Sequence, residues 1–351
     1  MSVDMEFVKR LGDFTLSVSL RAGNERIGIL GASGSGKSMT LKCVAGIETP
    51  DEGRISIDGV TVYDSARGID LRPQRRRAGY LFQNYALFPS MTVAQNIGIA
   101  ARGANARERA GIVADAVRRL GLEGLERALP ARLSGGQQQR TALARILVSD
   151  PAILMLDEPF SALDAHLRSR MERELSERVE AFGGTVFFVS HSRDEVYRVC
   201  DRIAVIDGGR IDGAVGKREL FDNPRTVNAA ILSGCKNVAR ARKAGDRMVF
   251  VPDWNLTLET AASVGRDMAW VGIRSHHIRH PARGETVNCF TFAVERRSAA
   301  PFSVTEYLIA PYEGTPKPVA LCRERTIEEN APEGDRRAYC VPPEKILLLC
   351  D

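Results

Sequence analysis

Residues 31–38 constrain this chain more than any other stretch. Gly31-Ala32-Ser33-Gly34-Ser35-Gly36-Lys37-Ser38 fits G-x-x-x-x-G-K-[ST]. It follows the short apolar run Arg26-Ile27-Gly28-Ile29-Leu30 and leads into a helix-like stretch over 38–45. Three glycines let the backbone curl until successive N–H groups face one anion, and the following helix adds the positive end of its dipole. Lys37 is then placed to reach phosphate oxygens and the Ser38 hydroxyl to ligate Mg²⁺. A strand, a phosphate-sized loop and a helix in that order belong to an α/β fold.

The rest of the first 230 residues agrees. Residues 14–20 alternate apolar and polar strictly, as a half-buried strand does. Ile112, Val113, Ala116, Val117 and Leu120 form one helical stripe; Leu163, Leu167, Met171, Leu175, Val179 and Phe182 form another. Between these helices 152–156 and 185–190 are apolar without alternation, which predicts parallel strands covered on both faces. Asp207-Gly208-Gly209 reads as a hairpin turn, and 220–232 as a last helical piece. Beyond about 233, short strand-like runs take over at 248–251, 268–273, 290–294, 304–309, 319–322 and 346–349, suggesting a small β-barrel or sandwich. The expected domains are 1–232 and 233–351.

Composition narrows the function classes. Forty-nine Lys and Arg against 44 Asp and Glu leave +5 over 351 residues, too small an excess to argue for nucleic acid. The basic group Arg72, Arg75, Arg76 and Arg77 is read as a solvated face. The longest uncharged stretch, 78–101, is interrupted by Gln83, Asn84, Pro89, Ser90, Thr92, Gln95 and Asn96, so no membrane span is expected. Asp4, Glu6, Lys9, Arg10 and Asp13 break the apolar core of any signal peptide. Seven scattered cysteines without C-x-x-C predict reduced thiols rather than a disulfide framework or a zinc site.

Two further groups carry chemistry. Ile153-Leu154-Met155-Leu156-Asp157-Glu158-Pro159 delivers two carboxylates at the end of a buried strand, the edge where open α/β sheets bind ligands. Asp157 suits a Mg²⁺ shell and Glu158 the polarising of an attacking water. Leu133-Ser134-Gly135-Gly136-Gln137 is a second glycine turn leading into a helix, with Ser134 as cap and the N–H groups at Gly135 and Gly136 facing an anion. One chain thus offers two phosphate cradles.

The set resembles the nucleotide-binding subunits of ATP-binding cassette (ABC) transporters, whose LSGGQ signature stands here at 133–137. Gln83 is similar to that family's Q-loop glutamine, Ser161-Ala162-Leu163-Asp164 to its D-loop and His191 to its switch histidine. The resemblance covers roughly residues 5–232. It implies a P-loop NTPase fold of ABC type and a head-to-tail homodimer binding two ATP molecules. Each would lie between Lys37 and Ser38 of one copy and Ser134 and Gly136 of the other. Gln83 and Asp157 would complete the Mg²⁺ environment, Glu158 would be the general base, and His191 would hold the γ-phosphate. Family members usually stack adenine on an aromatic residue where this chain has Leu11; Phe14 or Phe7 would substitute, or an aliphatic contact would suffice. The loop carrying Tyr85, Leu87, Phe88, Pro89 and Met91 corresponds to the place that receives a helix of the membrane-spanning permease.

The C-terminal part resembles the OB/TOBE-like β domains of ABC importer ATPases through Val271-Gly272-Ile273-Arg274, with Ser275 and His276 replacing the commoner residues. His276-His277 is not read as a metal site, because strand neighbours point to opposite faces. Trp254 and Trp270 are read as core. Residues 9–14 and 233–237 are similar to ATPases serving molybdate, tungstate or sulfate uptake. The implied subunit sits peripherally on the cytoplasmic face of the plasma membrane. It meets an extracytoplasmic solute-binding protein only through the permease and binds no nucleic acid.

Overall fold

The computed structural model describes residues 2–103, 105–160, 165–300, 303–310, 319–326 and 336–350. The chain divides into two compact units, Met1–Lys217 and Arg218–Asp351. The predicted last helical piece is two helices, Lys217–Asp222 and Val227–Leu232. Pro224 separates them, since it cannot continue a helix, and Thr226 caps the second by accepting from the Ala229 N–H. Residues 218–232 group with the second unit, so that unit starts ahead of the boundary expected near 233.

The first unit is built on a six-stranded sheet ordered Val215–Gly216, Arg202–Val205, Arg26–Leu30, Thr185–Val189, Ile153–Asp157 and Ala78–Leu81. Its last five strands are parallel, and Val215–Gly216 is an antiparallel edge. Every residue of Ile153–Asp157 and Thr185–Val189 is buried, as continuous apolar runs demand of strands covered on both faces. The stripe at 112–120 buries Ala116, Val117 and Leu120 against the fold. In the other stripe Leu175 and Val179 are buried, while Leu163 and the side chains of Leu167 and Met171 lie outside the described residues.

A second six-stranded sheet runs Arg210–Asp212, Phe14–Ala22, Val3–Leu11, Glu52–Ile57, Val60–Asp64, Ile69–Asp70. Val3, Met5 and Phe7 pair in register with Ala22, Leu20 and Val18 and point into the same core as Ile27, Ile29, Leu41 and Val44. That core grips the helix Lys37–Ala45 that follows the phosphate-type loop. Burying side chains such as Leu41 and Val44 completely stabilises the packing by roughly 1.5–3 kcal/mol each.

The helix is also held at its far end. Arg76 is 1% exposed and donates to the carbonyls of Leu71 (2.7 Å), Cys43 (2.8 Å) and Val44 (3.1 Å) and to Asp70 Oδ1 (2.6 Å). This corrects the reading of 72–77 as a solvated basic face. Arg76 alone turns inward, because the last carbonyls of a helix need donors and attract a cation. Gly46 makes room for it: at φ +76 a Cβ there would lie 2.5 Å from Arg76 Nε.

The second unit is β-rich. Antiparallel sheets join Asn237–Arg240, Trp270–Ile273 and Ile346–Leu349; Arg242–Gly245, Met248–Val251 and Leu256–Glu259; and Leu321–Thr326, Ser303–Ile309, Cys289–Ala299 and Arg336–Cys340. Val249, Val251, Trp254, Leu258, Val271, Ile273, Phe292 and Tyr339 share one core. Trp254 is buried as expected, whereas Trp270 is half-buried under the Arg240 guanidinium. Glu306 is fully buried and accepts from Arg323 (2.8 Å) and Arg325 (2.9 Å), which hold its carboxyl below the usual range against the pull of burial.

Two expectations fail here. Cys289 and Cys340 form a disulfide, while Cys43, Cys200, Cys235, Cys322 and Cys350 are free. The two residues are 51 apart and only the strand register brings them opposite each other. Glu285 lies near them, with its carboxylate held by Arg279 and the Ala282 N–H. His276 and His277 sit in a 3₁₀ turn, Ser275–His277, rather than a strand, so their rings touch at 4.3 Å instead of diverging.

Candidate functional site

The loop 31–36 joins the strand Arg26–Leu30 to the helix Lys37–Ala45, both fixed by the core described above. Gly34 (φ +76) and Gly36 (φ +103) take conformations that residues with a Cβ rarely adopt. At Gly31 a Cβ would lie 2.1 Å from Ile206 Cγ2 and 2.8 Å from Ser35 Oγ. The helix's first N–H groups have no carbonyl one turn earlier to bond. Lys37 is buried, and its ammonium donates to the carbonyls of Gly31 (2.9 Å) and Ala32 (2.8 Å). Burial pulls its pKa below the ordinary lysine value, with Glu158 and Asp157 acting the other way.

The strand Ile153–Asp157 carries its two carboxylates to this loop. Ser38 Oγ donates to Asp157 Oδ1 at 2.8 Å, and the Tyr80 hydroxyl donates to Oδ2 at 2.6 Å. Glu158 takes a left-handed backbone conformation (φ +46), and its N–H donates to the Val189 carbonyl on the neighbouring strand. That turn sets its carboxylate 3.6 Å from Nδ1 of His191. His191 is exposed just after the strand Thr185–Val189. Behind it Ser190 donates to the buried Glu195 carboxylate at 2.6 Å, and Ser192 caps the helix Arg193–Val199.

The expected residues therefore gather in part. Lys37, Ser38, Asp157, Glu158 and His191 form one cluster, and Gln83 stands exposed two residues past the strand Ala78–Leu81. Ser134 begins the helix Gly135–Leu147 in a reciprocal cap with Gln137. Gln138 of that helix donates to the Pro130 and Leu133 carbonyls and Gln139 to the Pro159 carbonyl. Asp164, with the rest of 161–164, lies outside the described residues.

For a stacking aromatic, Phe7 is ruled out: it is 2% exposed in the core. Phe14 pairs with the exposed Leu11 at the first hairpin and lies against Gly36 and Gly209.

Four residues escaped sequence reasoning. Tyr80 lies in the core, yet its hydroxyl ends on the site's carboxylate. Tyr85 was expected in the apolar loop that receives the permease helix. It is instead 3% exposed, with its hydroxyl on the Pro159 carbonyl, whereas Phe88 remains 42% exposed. Arg145 donates to the carbonyls of Ala86 (2.8 Å) and Tyr85 (3.0 Å), two successive left-handed residues, and its guanidinium stands over the Phe88 ring. Asn96, fully buried, bonds both backbone groups of Phe88. The available signal was chemical: polar groups within apolar stretches must find partners when buried.

The site suits a nucleotide phosphate with Mg²⁺. Ser35 Oγ is buried without a hydrogen-bond partner among the described residues. The glycine loop leaves open space beside Gly34. The oxygen donors of Ser38 and Asp157 match a hard cation.

Comparison with known proteins agrees. Residues 14–161 match the ABC transporter family. Over 351 residues the chain is 33% identical to the spermidine/putrescine import ATP-binding protein PotA of Oleidesulfovibrio alaskensis, covering 95% of this chain and 89% of the relative. The chain belongs to the ABC transporter family of ATP-binding proteins. It is an ABC-type ATPase. It is also 39% identical over 222 residues to the molybdenum import ATP-binding protein ModC of Paramagnetospirillum magneticum, spanning 63% of this chain but only 61% of that relative's length. It is 38% identical over 259 residues to the sulfate/thiosulfate import ATP-binding protein CysA 2 of Chromobacterium violaceum, covering 71% and 68%. Among solved structures, the dimeric post-hydrolysis state of the ATP-binding cassette MJ0796 bound to ADP and Pi superposes with a TM-score of 0.51 at 28% identity. That superposition covers 62% of this ABC ATPase and 99% of the cassette.

Proposed function

We propose that this ABC ATPase is the energising subunit of an importer, working as a homodimer beneath separate membrane permease subunits on the cytoplasmic face of the membrane. The observation that carries it is the cluster of Lys37, Ser38, Asp157, Glu158 and His191 at the ends of adjacent parallel strands. In this reading residues 31–36 cradle the phosphates, Lys37 leaves its two loop carbonyls to meet the β- and γ-phosphates, and His191 holds the γ-phosphate. Ser38, Asp157 and Gln83 would hold Mg²⁺, which would supply charge neutralisation at the triphosphate. Glu158, turned toward His191 by its left-handed backbone, accepts the proton of the attacking water. Phosphoryl transfer depends mainly on positioning and charge neutralisation.

Ser134, Gly135 and Gly136 of a second copy complete the site. In each chain the bonds of the Ser134–Gln139 turn run to its own cap and to 130, 133 and 159, which leaves its helix N-terminus for the other copy's nucleotide. The exposed Phe88, with Leu87 and Met91, is the proposed permease contact. Hydrolysis conditional on dimer closure couples ATP to movement rather than to continuous turnover.

For the solute we infer molybdate or a related oxyanion, supported by the molybdenum and sulfate/thiosulfate relatives. A polyamine is the second reading, favoured by the alignment with a spermidine/putrescine relative over 95% of the chain. Uptake in a deletion strain decides between them. Competition by molybdate, tungstate or sulfate supports the oxyanion; competition by spermidine alone overturns it. Copurification with integral-membrane subunits tests the transport role, and copurification with ribosomes or DNA instead would refute it.

A further inference from the structure

Asp157 ends a strand that lies parallel to Ala78–Leu81, with Tyr80 opposite Met155 and Leu81 opposite Leu156. The torsion that orients an aspartate carboxylate is soft, so a metal-binding aspartate is only as well aimed as its hydrogen bonds make it. Here both oxygens are held: Ser38 donates to Oδ1 at 2.8 Å and Tyr80 to Oδ2 at 2.6 Å. Ser38 belongs to the phosphate loop and is itself a metal ligand in the proposed site. Tyr80 belongs to neither. Its ring is 8% exposed and packs on Phe82 at 4.5 Å between centroids, so its hydroxyl is aimed by the core and not by the nucleotide.

We propose that Tyr80 is a positioning residue whose hydrogen bond fixes the rotation of the Asp157 carboxylate and thereby sets the affinity of the nucleotide site for Mg²⁺. The inference rests on the reading that Asp157 serves the Mg²⁺ shell. Removing the hydroxyl leaves a buried carboxylate oxygen without its donor and frees the group to turn. Hydrogen bonds to charged groups are among the stronger ones in proteins. The Mg²⁺ concentration giving half-maximal effect is therefore expected to rise about tenfold, the scale of one such bond.

The test is titration calorimetry of the full chain with a non-hydrolysable ATP analogue, with and without Mg²⁺, on wild type, Tyr80→Phe and Asp157→Asn. Tyr80→Phe should weaken only the Mg²⁺-dependent part of binding, leaving metal-free nucleotide binding unchanged. A Mg²⁺ titration within twofold of wild type overturns the proposal, as does an equal loss of metal-free binding. If Asp157→Asn keeps the wild-type Mg²⁺ dependence, the metal assignment itself fails. If Asp157→Asn loses that dependence while Tyr80→Phe does not move, only the role of Tyr80 fails. Should Tyr80→Phe not fold, fluorotyrosine at position 80 keeps the ring and makes the hydroxyl a stronger donor. It should shift the Mg²⁺ curve to lower concentration, and a curve that does not shift refutes the role.

Discussion

Replacing Arg76 with Met keeps an unbranched side chain inside the first unit but deletes every donor of the guanidinium. Three backbone carbonyls lose a partner: Leu71, Cys43 and Val44. The Cys43 carbonyl keeps the Gly46 N–H at 3.2 Å, so two oxygens carry most of the loss. An unsatisfied buried group costs about 1–3 kcal/mol. Asp70 adds little, because its side chain is 47% exposed and water takes over. The cost is therefore about 3 kcal/mol, a large part of the roughly 5–15 kcal/mol that holds a domain together. Gly46→Ala should reproduce much of it by pushing a methyl into the same guanidinium at a left-handed backbone position. In the double variant the two losses should not add, since they break one contact. Urea unfolding followed by circular dichroism measures each. A loss under about 1 kcal/mol for Arg76→Met, or full additivity, would refute the claim that Arg76 anchors the end of the phosphate-loop helix.

Glu158→Gln should keep nucleotide binding and lower hydrolysis by about 10²–10⁴-fold, with ATP-dependent dimer accumulating on size exclusion; normal turnover would remove Glu158 from its role. Burial, with His276, Lys345 and Arg274 nearby, pushes the His277 pKa down to about 4 from 6.5. Between those values the unfolded chain binds more protons than the folded one, so the second unit should lose stability as pH falls from about 6.5 toward 4. His277→Phe should flatten that slope in pH-dependent melting, and an unchanged slope would refute the attribution. Reducing Cys289–Cys340 reopens a loop spanning 51 residues. By the chain-entropy relation, the second unit should lose up to about 4 kcal/mol on urea unfolding with reductant, and identical midpoints would contradict it.

The phosphate loop, the carboxylate strand and the parallel sheet were legible because each depends on local order: glycines at fixed spacing, or an apolar run long enough for one strand. What stayed hidden depends on partners distant in sequence. Val3, Met5 and Phe7 alternate as well as residues 14–20 do, yet Asp4, Glu6, Lys9 and Arg10 were read only as charges that exclude a signal peptide, and the strand went unread. Arg76 is indistinguishable in sequence from Arg75 and Arg77, and only the carbonyls at 43 and 44 single it out. The Tyr80 ring belongs to the core as an aromatic in an uncharged stretch should, but no spacing announces where its hydroxyl ends. Cys289 and Cys340 carry no motif, since their pairing is a matter of register.

The grip of Arg145 on the Tyr85 and Ala86 carbonyls has a mechanical corollary. A guanidinium fork tolerates little sliding, and these bonds run from the LSGGQ helix to the backbone just beyond Gln83. A tilt of that helix would be handed on to the chain beneath Phe88 without slack, as a rivet carries load between two plates.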